Sequence, residues 1–432
     1  MEGVFAGLVP GVQCRFQVDD CKPTGINAVP VGGTFPRPPL RLSKRCDTDD
    51  LANFAGIIAC RREIGAVLPP FWDYLREYDE LRDGILAAVD RVFKSGKLIL
   101  GQEGIAFERE MAAYVGVRGG VGVNSGTDAI SIALAAVGIG AGDEVITVPN
   151  TAVPTVSAIK TIGARPVFVD VREDDFLMDV DQVEMAITPR TKAIVPVHLY
   201  GQCVDLDPLM NIARRHGLQV VEDCAQSQGA GYRDRRCGSI GNAAAFSFYP
   251  TKLLGGYGDG GMVLSDNEAV TSLARSLRFY GMEQAYYSER NGYNSRLDEV
   301  QSAILALKLP KIDGWISRRR DIACRYRRGF TGSGLRMPKE NSYGRHVYHL
   351  FVVEVERDRD LVLERLEARG LKCSVQYRWP VHLMRGFQDL GYRQGQFPVA
   401  ETKAGQIFSL PIYPHLTDEE VDEVVEVVRA AI

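Results

Sequence analysis

Long apolar runs are what this chain of 432 residues most clearly lacks. No stretch reaches the roughly 18 uninterrupted apolar residues of a membrane-spanning helix. A long basic run is missing too. Lys and Arg number 51 against 55 Asp and Glu, a formal net charge of −4, so a nucleic-acid partner has no electrostatic support. The nine cysteines contain no CxxC pair and read as scattered thiols, neither a disulfide framework nor a zinc site. The first residues do not follow the basic-then-apolar order of a secretory signal. These absences lead to the expectation of a cytoplasmic, reducing location, with no membrane or nucleic acid as partner and no bound metal.

What the chain does have is ordinary globular composition, 45% apolar and 25% charged, and enough length for more than one domain. Residues 1–66 stand apart. They hold six prolines and four of the nine cysteines without sustained periodicity, as in "VPVGGTFPRPPLRLSKRCDTDD". This segment reads as a poorly ordered extension, with a regulatory segment as the alternative. From Leu68 onward the pattern is regular. "YLREYDELRDGILAAVDRVFKSG" (Tyr74–Gly96) has helical apolar spacing and a glycine stop. Strands are expected at Glu144–Pro149, Arg165–Val171, Lys192–Gly201, Leu218–Asp223 and Ala243–Phe248. Helices are expected between them at Pro154–Gly163, Val180–Ile187 and Asp207–Gly217. Such alternation implies an α/β fold with a mostly parallel sheet covered on both faces. A large domain over 67–316 and a smaller α+β domain over 317–432 follow, the latter with a strand at His349–Glu356 and a helix at Leu416–Ile432.

In open α/β sheets, ligands sit beyond the carboxyl ends of strands. Asp223 ends one such strand, in "VVEDCAQSQGA", and Lys252 follows the next, in "YPTKLLGGYGDGG". Alone, the aspartate reads equally well as a helix cap and the lysine as a surface residue. Together they are the pair that pyridoxal phosphate requires: an amine to form a Schiff base and a carboxylate to hold the pyridinium nitrogen. "NSGTDAISIALAAVG" opens a helix with Ser125, Gly126 and Thr127, whose free N–H groups and dipole suit a phosphate. Ser247 supplies a further hydroxyl. "GIGAGDE" (Gly138–Glu144) follows a helix and precedes a strand, the reverse of a dinucleotide fingerprint, and reads as a turn. Cys224 has no adjacent histidine and reads as packing.

"VEDCAQSQGA", "AFSFYPTKLLGGYGDGGMV", "NSGTDAI" and "GYNSRLDEVQSAIL" resemble the DegT/DnrJ/EryC1/StrS sugar aminotransferases, from about Leu68 to the C-terminus. The resemblance implies an aspartate-aminotransferase-like fold, a homodimer with shared active sites, and pyridoxal 5′-phosphate. By position it implies Lys252 as the Schiff-base lysine, Asp223 as the pyridinium partner and Gln226 as a ring contact. It places Gly126, Thr127 and Ser247 at the phosphate, and Asn294 at the phosphate of the neighbouring subunit. Asn294 and Arg296 also read as a structural turn and helix start. Two positions depart from the pattern: Gln228 stands where many members carry histidine, and Ala152 where many carry an aromatic over the ring.

"FYGMEQAYY", "NGYNSRLDEV" and "YRWPVHLMRGF" resemble, more narrowly, the 3-aminotransferases of desosamine- and mycaminose-type sugars. That likeness implies a dTDP-3-keto-6-deoxyhexose as acceptor and glutamate as donor. Tyr377, Trp379 and His382 are candidates for the nucleotide-sugar wall, with a packed turn as the alternative. A cyclitol or a 4-keto nucleotide sugar would use the same cofactor residues. A ligand-sensing regulator would need a DNA-binding module, and residues 1–66, with eight basic and seven acidic residues, show no such spacing.

Overall fold

The alternating segments assemble, in the computed structural model of the chain, into a seven-stranded sheet. Residues 68–356 and 358–432 are described. The expected extension over 1–66 lies outside them. The strands are β1 (Gly119–Val123), β2 (Glu144–Thr147), β3 (Arg165–Phe168), β4 (Thr191–Ile194), β5 (Gln219–Asp223), β6 (Ala243–Ser247) and β7 (Gly261–Ser265). Their spatial order is β1-β7-β6-β5-β4-β2-β3. Every pairing from β6 through β3 is parallel, and only β7 runs against its neighbours.

Successive strand residues point to opposite faces, and two separate apolar cores result. Ile146, Val220, Ala244 and Leu264 enter one core. Their immediate neighbours Val145, Val221, Ala245 and Val263 enter the other. A sheet buried on both sides explains why these strands read as continuous apolar runs rather than alternating ones. The helix Gly126–Ala136 is nearly all small or branched apolar residues and lies buried in the second core.

Past the sheet, an antiparallel pair, Phe351–Glu354 with Ile407–Leu410, anchors a third core. The helix Ile312–Gly329 links the first and third cores: Ile312 and Ile316 pack in the first, Ile322, Ala323 and Tyr326 in the third. The expected boundary at residue 317 therefore falls inside a continuous helix. The final helix, Asp418–Ala431, begins with a reciprocal cap in which Thr417 Oγ accepts from Glu420 N–H and Glu420 bonds back. Such a cap is worth about 1 kcal/mol.

Several expectations are corrected. Val180–Ile187 forms two 3-10 turns, Val180–Gln182 and Glu184–Ala186, in place of an α-helix. Its two buried residues, Val180 and Val183, lie three apart, the spacing that eclipses on a 3-10 turn. The strand expected over Lys192–Gly201 is continuous only over Thr191–Ile194, with one further bridge from Val197 to Asp223, because Pro196 has no N–H for a ladder and the chain then coils at Leu199–Gly201. Cys203 and Cys237 are joined as a disulfide rather than scattered, their Cα atoms 6.4 Å apart across a separation of 34 residues. Both lie buried in the first core, where packing brings them together.

Candidate active site

Three strand ends converge on one place. β1 leads into the N-terminus of the helix Gly126–Ala136, β5 ends at Asp223, and β6 ends at Ser247. Lys252 follows β6 in a tight turn, with its own N–H on the Tyr249 carbonyl at 2.8 Å and Gly256 N–H on the Phe248 carbonyl at 2.8 Å. A Cβ at Gly255 would meet the Pro250 carbonyl oxygen at 2.3 Å, so the turn closes only with glycine there. The buried Lys308 ammonium bonds the Gly255 carbonyl and Glu77, pinning the far side of the turn. The small residues around Lys252 are thus what allows the chain to fold back beneath it.

A cavity of about 230 Å³ lies at this convergence, lined by Gly126, Thr127, Asp223, Ser247 and Lys252 among others. Asp223 is held on both oxygens: Thr155 Oγ1 donates to Oδ2 at 2.8 Å and Ala225 N–H to Oδ1 at 3.1 Å. Burial pushes the Asp223 carboxyl above its ordinary range, with these bonds and the Lys252 charge opposing. Burial pulls the Lys252 ammonium down to about 8, with Asp223 pulling the other way. Ser125 Oγ accepts from Asp128 N–H at 3.1 Å, and Ala129 N–H makes the first backbone bond of the helix, back to Ser125. The N–H groups of Gly126 and Thr127 precede that bond and are free for an anion. A Cβ at Gly126 would stand 2.6 Å from Ser247 Cβ, so the cradle depends on that glycine.

Gln226 is buried beside both Lys252 and a second cavity, accepting from Tyr200 N–H at 2.8 Å and donating to Tyr377 Oη at 2.9 Å. Gln228 lies deeper, donating to the Ser247 carbonyl at 2.6 Å, where it braces the end of β6. Ala152 does line the first cavity, and Tyr249 is the one aromatic side chain lining it among the described residues. Cys224 is fully buried in the first core, as packing requires. Asn294 is exposed and lies outside both cavities.

Of the three residues expected on a nucleotide-sugar wall, the structure brings only Tyr377 to the lysine, in the second cavity of about 260 Å³. Trp379 is 64% exposed and lines neither cavity. His382 is buried against Phe168 and Phe397 and bonds Glu401 at 3.1 Å. The turn at Pro380 sends it away from Tyr377, so its role is in packing. Thr155, Arg319 and His349 were not legible as site residues. Thr155 had no signal beyond a hydroxyl at a helix start, and the other two join the site only through packing of distant segments.

The donor set is specific: an amine, an opposed carboxylate, and a helix N-terminus with hydroxyls across one cavity. It fits pyridoxal phosphate group by group. A model of the DegT/DnrJ/EryC1/StrS aminotransferase family matches residues 79–429. A transaminase of dTDP-3-amino-3,4,6-trideoxy-alpha-D-glucose from Micromonospora megalomicea is 52% identical over 367 residues, covering 84% of this chain and 98% of that one. The crystal structure of DesV from S. venezuelae superposes with a TM-score of 0.82 at 45% identity, covering 84% of this chain and 98% of that one. NtdA from Bacillus subtilis, solved with bound cofactor PMP, superposes with a TM-score of 0.80 at 31% identity over 85% of each chain. Matched in sequence and fold along nearly all the described residues, the chain belongs to the DegT/DnrJ/EryC1/StrS aminotransferase family.

Proposed function

We propose that this aminotransferase moves an amino group from glutamate to the 3-ketone of a dTDP-linked 6-deoxyhexose, with pyridoxal 5′-phosphate as carrier. The observation that carries the reading is the placement of Lys252 and Asp223 on one cavity whose far end is a helix N-terminus. When bound, pyridoxal phosphate supplies an electron sink for the pair released at the reacting carbon and holds the amino group between the two substrates. Lys252 Nζ would hold the cofactor's aldehyde carbon until the donor's amine takes its place there, and the lysine amine so released would be placed to take the proton from the donor's α-carbon. In the cofactor-free chain burial already pulls the Lys252 ammonium down to about 8, the direction a general base requires. Asp223 would face the ring nitrogen and keep a proton there. Its orientation is fixed by Thr155 and Ala225, so the carboxylate needs no rearrangement as charge shifts. Gly126, Thr127 and Ser247 would hold the phosphate. Gln226 would order the ring face and, through its bond to Tyr377, couple it to the side chain that would border the sugar.

Asn294 reaches the phosphate of a second copy in this reading, so the working form is a homodimer with shared sites. Support comes from its exposure and from the exposed apolar side chains Leu86, Phe93, Leu98, Ile99, Leu100 and Ile105 near the N-terminal helices.

The decisive experiment follows the visible band of the pyridoxal phosphate-loaded enzyme on adding a dTDP-3-amino-6-deoxyhexose, which runs the sugar half in reverse. Loss of the band, its return with 2-oxoglutarate, and no response in Lys252→Ala are expected. A band bleached by glutamate but untouched by the amino sugar would overturn the substrate assignment. An amino-cyclitol that bleaches it instead would identify the acceptor as a cyclitol ketone.

A further inference from the structure

The second cavity at Lys252 has a charge pattern that the cofactor residues do not use. Arg319 is 4% exposed, yet it makes no ion pair among the described residues. Its Nη1 donates to the carbonyls of Ile412 at 2.7 Å, Tyr348 at 3.2 Å and His349 at 3.4 Å, while its buried Nε has no partner. Glu77, the acid whose field reaches it, is committed to Lys308 at 2.5 Å. His349 is 7% exposed, and its buried Nδ1 also has no partner. Both side chains line the same cavity as Lys252. Burial pulls the guanidinium down to about 10 and holds the imidazole well below its ordinary range, and the neighbouring cations depress His349 further.

A buried charge without an acid and a buried imidazole nitrogen without a partner are costly unless something anionic completes them. Pyridoxal phosphate would not, because the residues that would hold its phosphate and ring nitrogen line the other cavity. The cavity is about 260 Å³, at the small end for ligand sites, which suits an amino acid better than a whole nucleotide sugar. The two substrates differ in where they carry charge. An α-amino acid bears its carboxylate on the reacting carbon itself, so that anion must lie beside Lys252. A nucleotide sugar bears its diphosphate on C1, two ring carbons from a reacting C3, and presents neutral hydroxyls to the lysine. We propose that Arg319 and His349 form the carboxylate site of the amino donor, and so bind one of the two substrates in preference to the other. The inference rests on the aminotransferase reading above and adds a donor-specific subsite to it.

The test separates the two half-reactions in the holoenzyme. Glutamate affinity and rate are measured by single-turnover loss of the visible band, and the sugar half with dTDP-3-amino-6-deoxyhexose on the same preparations. Calorimetry with glutarate, a carboxylate that has no amino group to react, reads the site without chemistry. In His349→Phe and Arg319→Gln, glutamate should bind about 10-fold or more weakly, the usual cost of a lost charge-assisted hydrogen bond. The sugar half should change far less, glutarate heat should vanish, and Arg319→Lys should restore part of the donor affinity. Because Arg319 also brackets three carbonyls, melting curves accompany each variant, and His349→Phe stands as the variant outside that bracket. Parallel loss in both halves, or unchanged glutarate binding, overturns the proposal. So does a variant that spares glutamate but impairs a nucleotide sugar bearing a uronate. If the wild-type enzyme responds to glutamate and ignores the amino sugar, the acceptor assignment fails while the carboxylate site remains under test.

Discussion

The two cavities that meet at Lys252 are built from different parts of the chain and from different chemistry. The first is made of strand ends and a helix N-terminus, all between Ser125 and Gly260, and it presents backbone N–H groups, hydroxyls and one fixed carboxylate. The second joins Phe71 and Trp72 to Arg319, His349, Tyr377 and Ile412, and it presents long side chains. Backbone donors at strand ends cannot be altered without altering the sheet, which suits a cofactor retained through every turnover. Side chains brought from distant segments can be exchanged one at a time, which suits substrates that vary within a family.

Lys252 belongs to both cavities, so Lys252→Ala should erase the comparison. Turnover is expected to fall roughly 10⁴-fold or more, with no visible band in the reconstituted protein. Asp223→Asn removes the charge from the first cavity only. On the order of 100-fold loss is expected in both half-reactions, seen in single turnovers, with glutamate affinity little moved. Gly126→Ala tests the cradle itself. Its Cβ would collide with Ser247 Cβ, and overpacking of that kind should weaken pyridoxal phosphate about 10-fold in equilibrium dialysis. Pairing it with Ser247→Gly should recover part of the loss.

A smaller effect is expected from pH. Lys252 has a folded pKa lowered from 10.5 to about 8, so in that window the unfolded chain holds the proton that the folded one has lost. Stability of the cofactor-free protein should therefore rise with pH from about 8 toward 10.5 through this residue. Lys252→Met lacks the term. It should melt higher than wild type at pH 7, by a few degrees, and the gap should close as pH approaches 10. The smallest effect belongs to Trp379→Ala, which touches neither cavity; a change below about 2-fold in sugar KM is expected on the scale of ordinary exposed positions.

The same contrast accounts for how much could be read before folding. Lys252, Asp223, Gly126, Thr127 and Ser247 each end or follow a strand in a regular alternation, and the sheet geometry places strand ends together. Their proximity is local topology written out in order. Arg319 and His349 come from a helix and a strand approach about 30 residues apart, more than 60 residues beyond the lysine, and nothing in their spacing marks a shared wall. His382, a candidate for the wall, lies away from both cavities for a related reason. Its neighbours Tyr377 and Trp379 are close in sequence, but the turn at Pro380 gives the three different surroundings: a cavity, solvent, and an aromatic core. Thr155 shows the limit at its smallest, since one hydroxyl at a helix start means little until Asp223 is seen 2.8 Å away.

The helix Ile312–Gly329 has a mechanical consequence. Its 18 residues make five turns, about 27 Å of continuous hydrogen-bonded rod. One end is embedded in the packing beneath the sheet and the other in the third core. Arg319 sits between these anchorages, tied to the carbonyls of Tyr348, His349 and Ile412. A rod clamped at both ends does not hinge at its middle; it rolls or shifts as a piece. Any displacement of the C-terminal segment would thus be delivered to the cavity wall at Arg319, turning a movement of the scaffold into a change in how tightly the substrate is gripped.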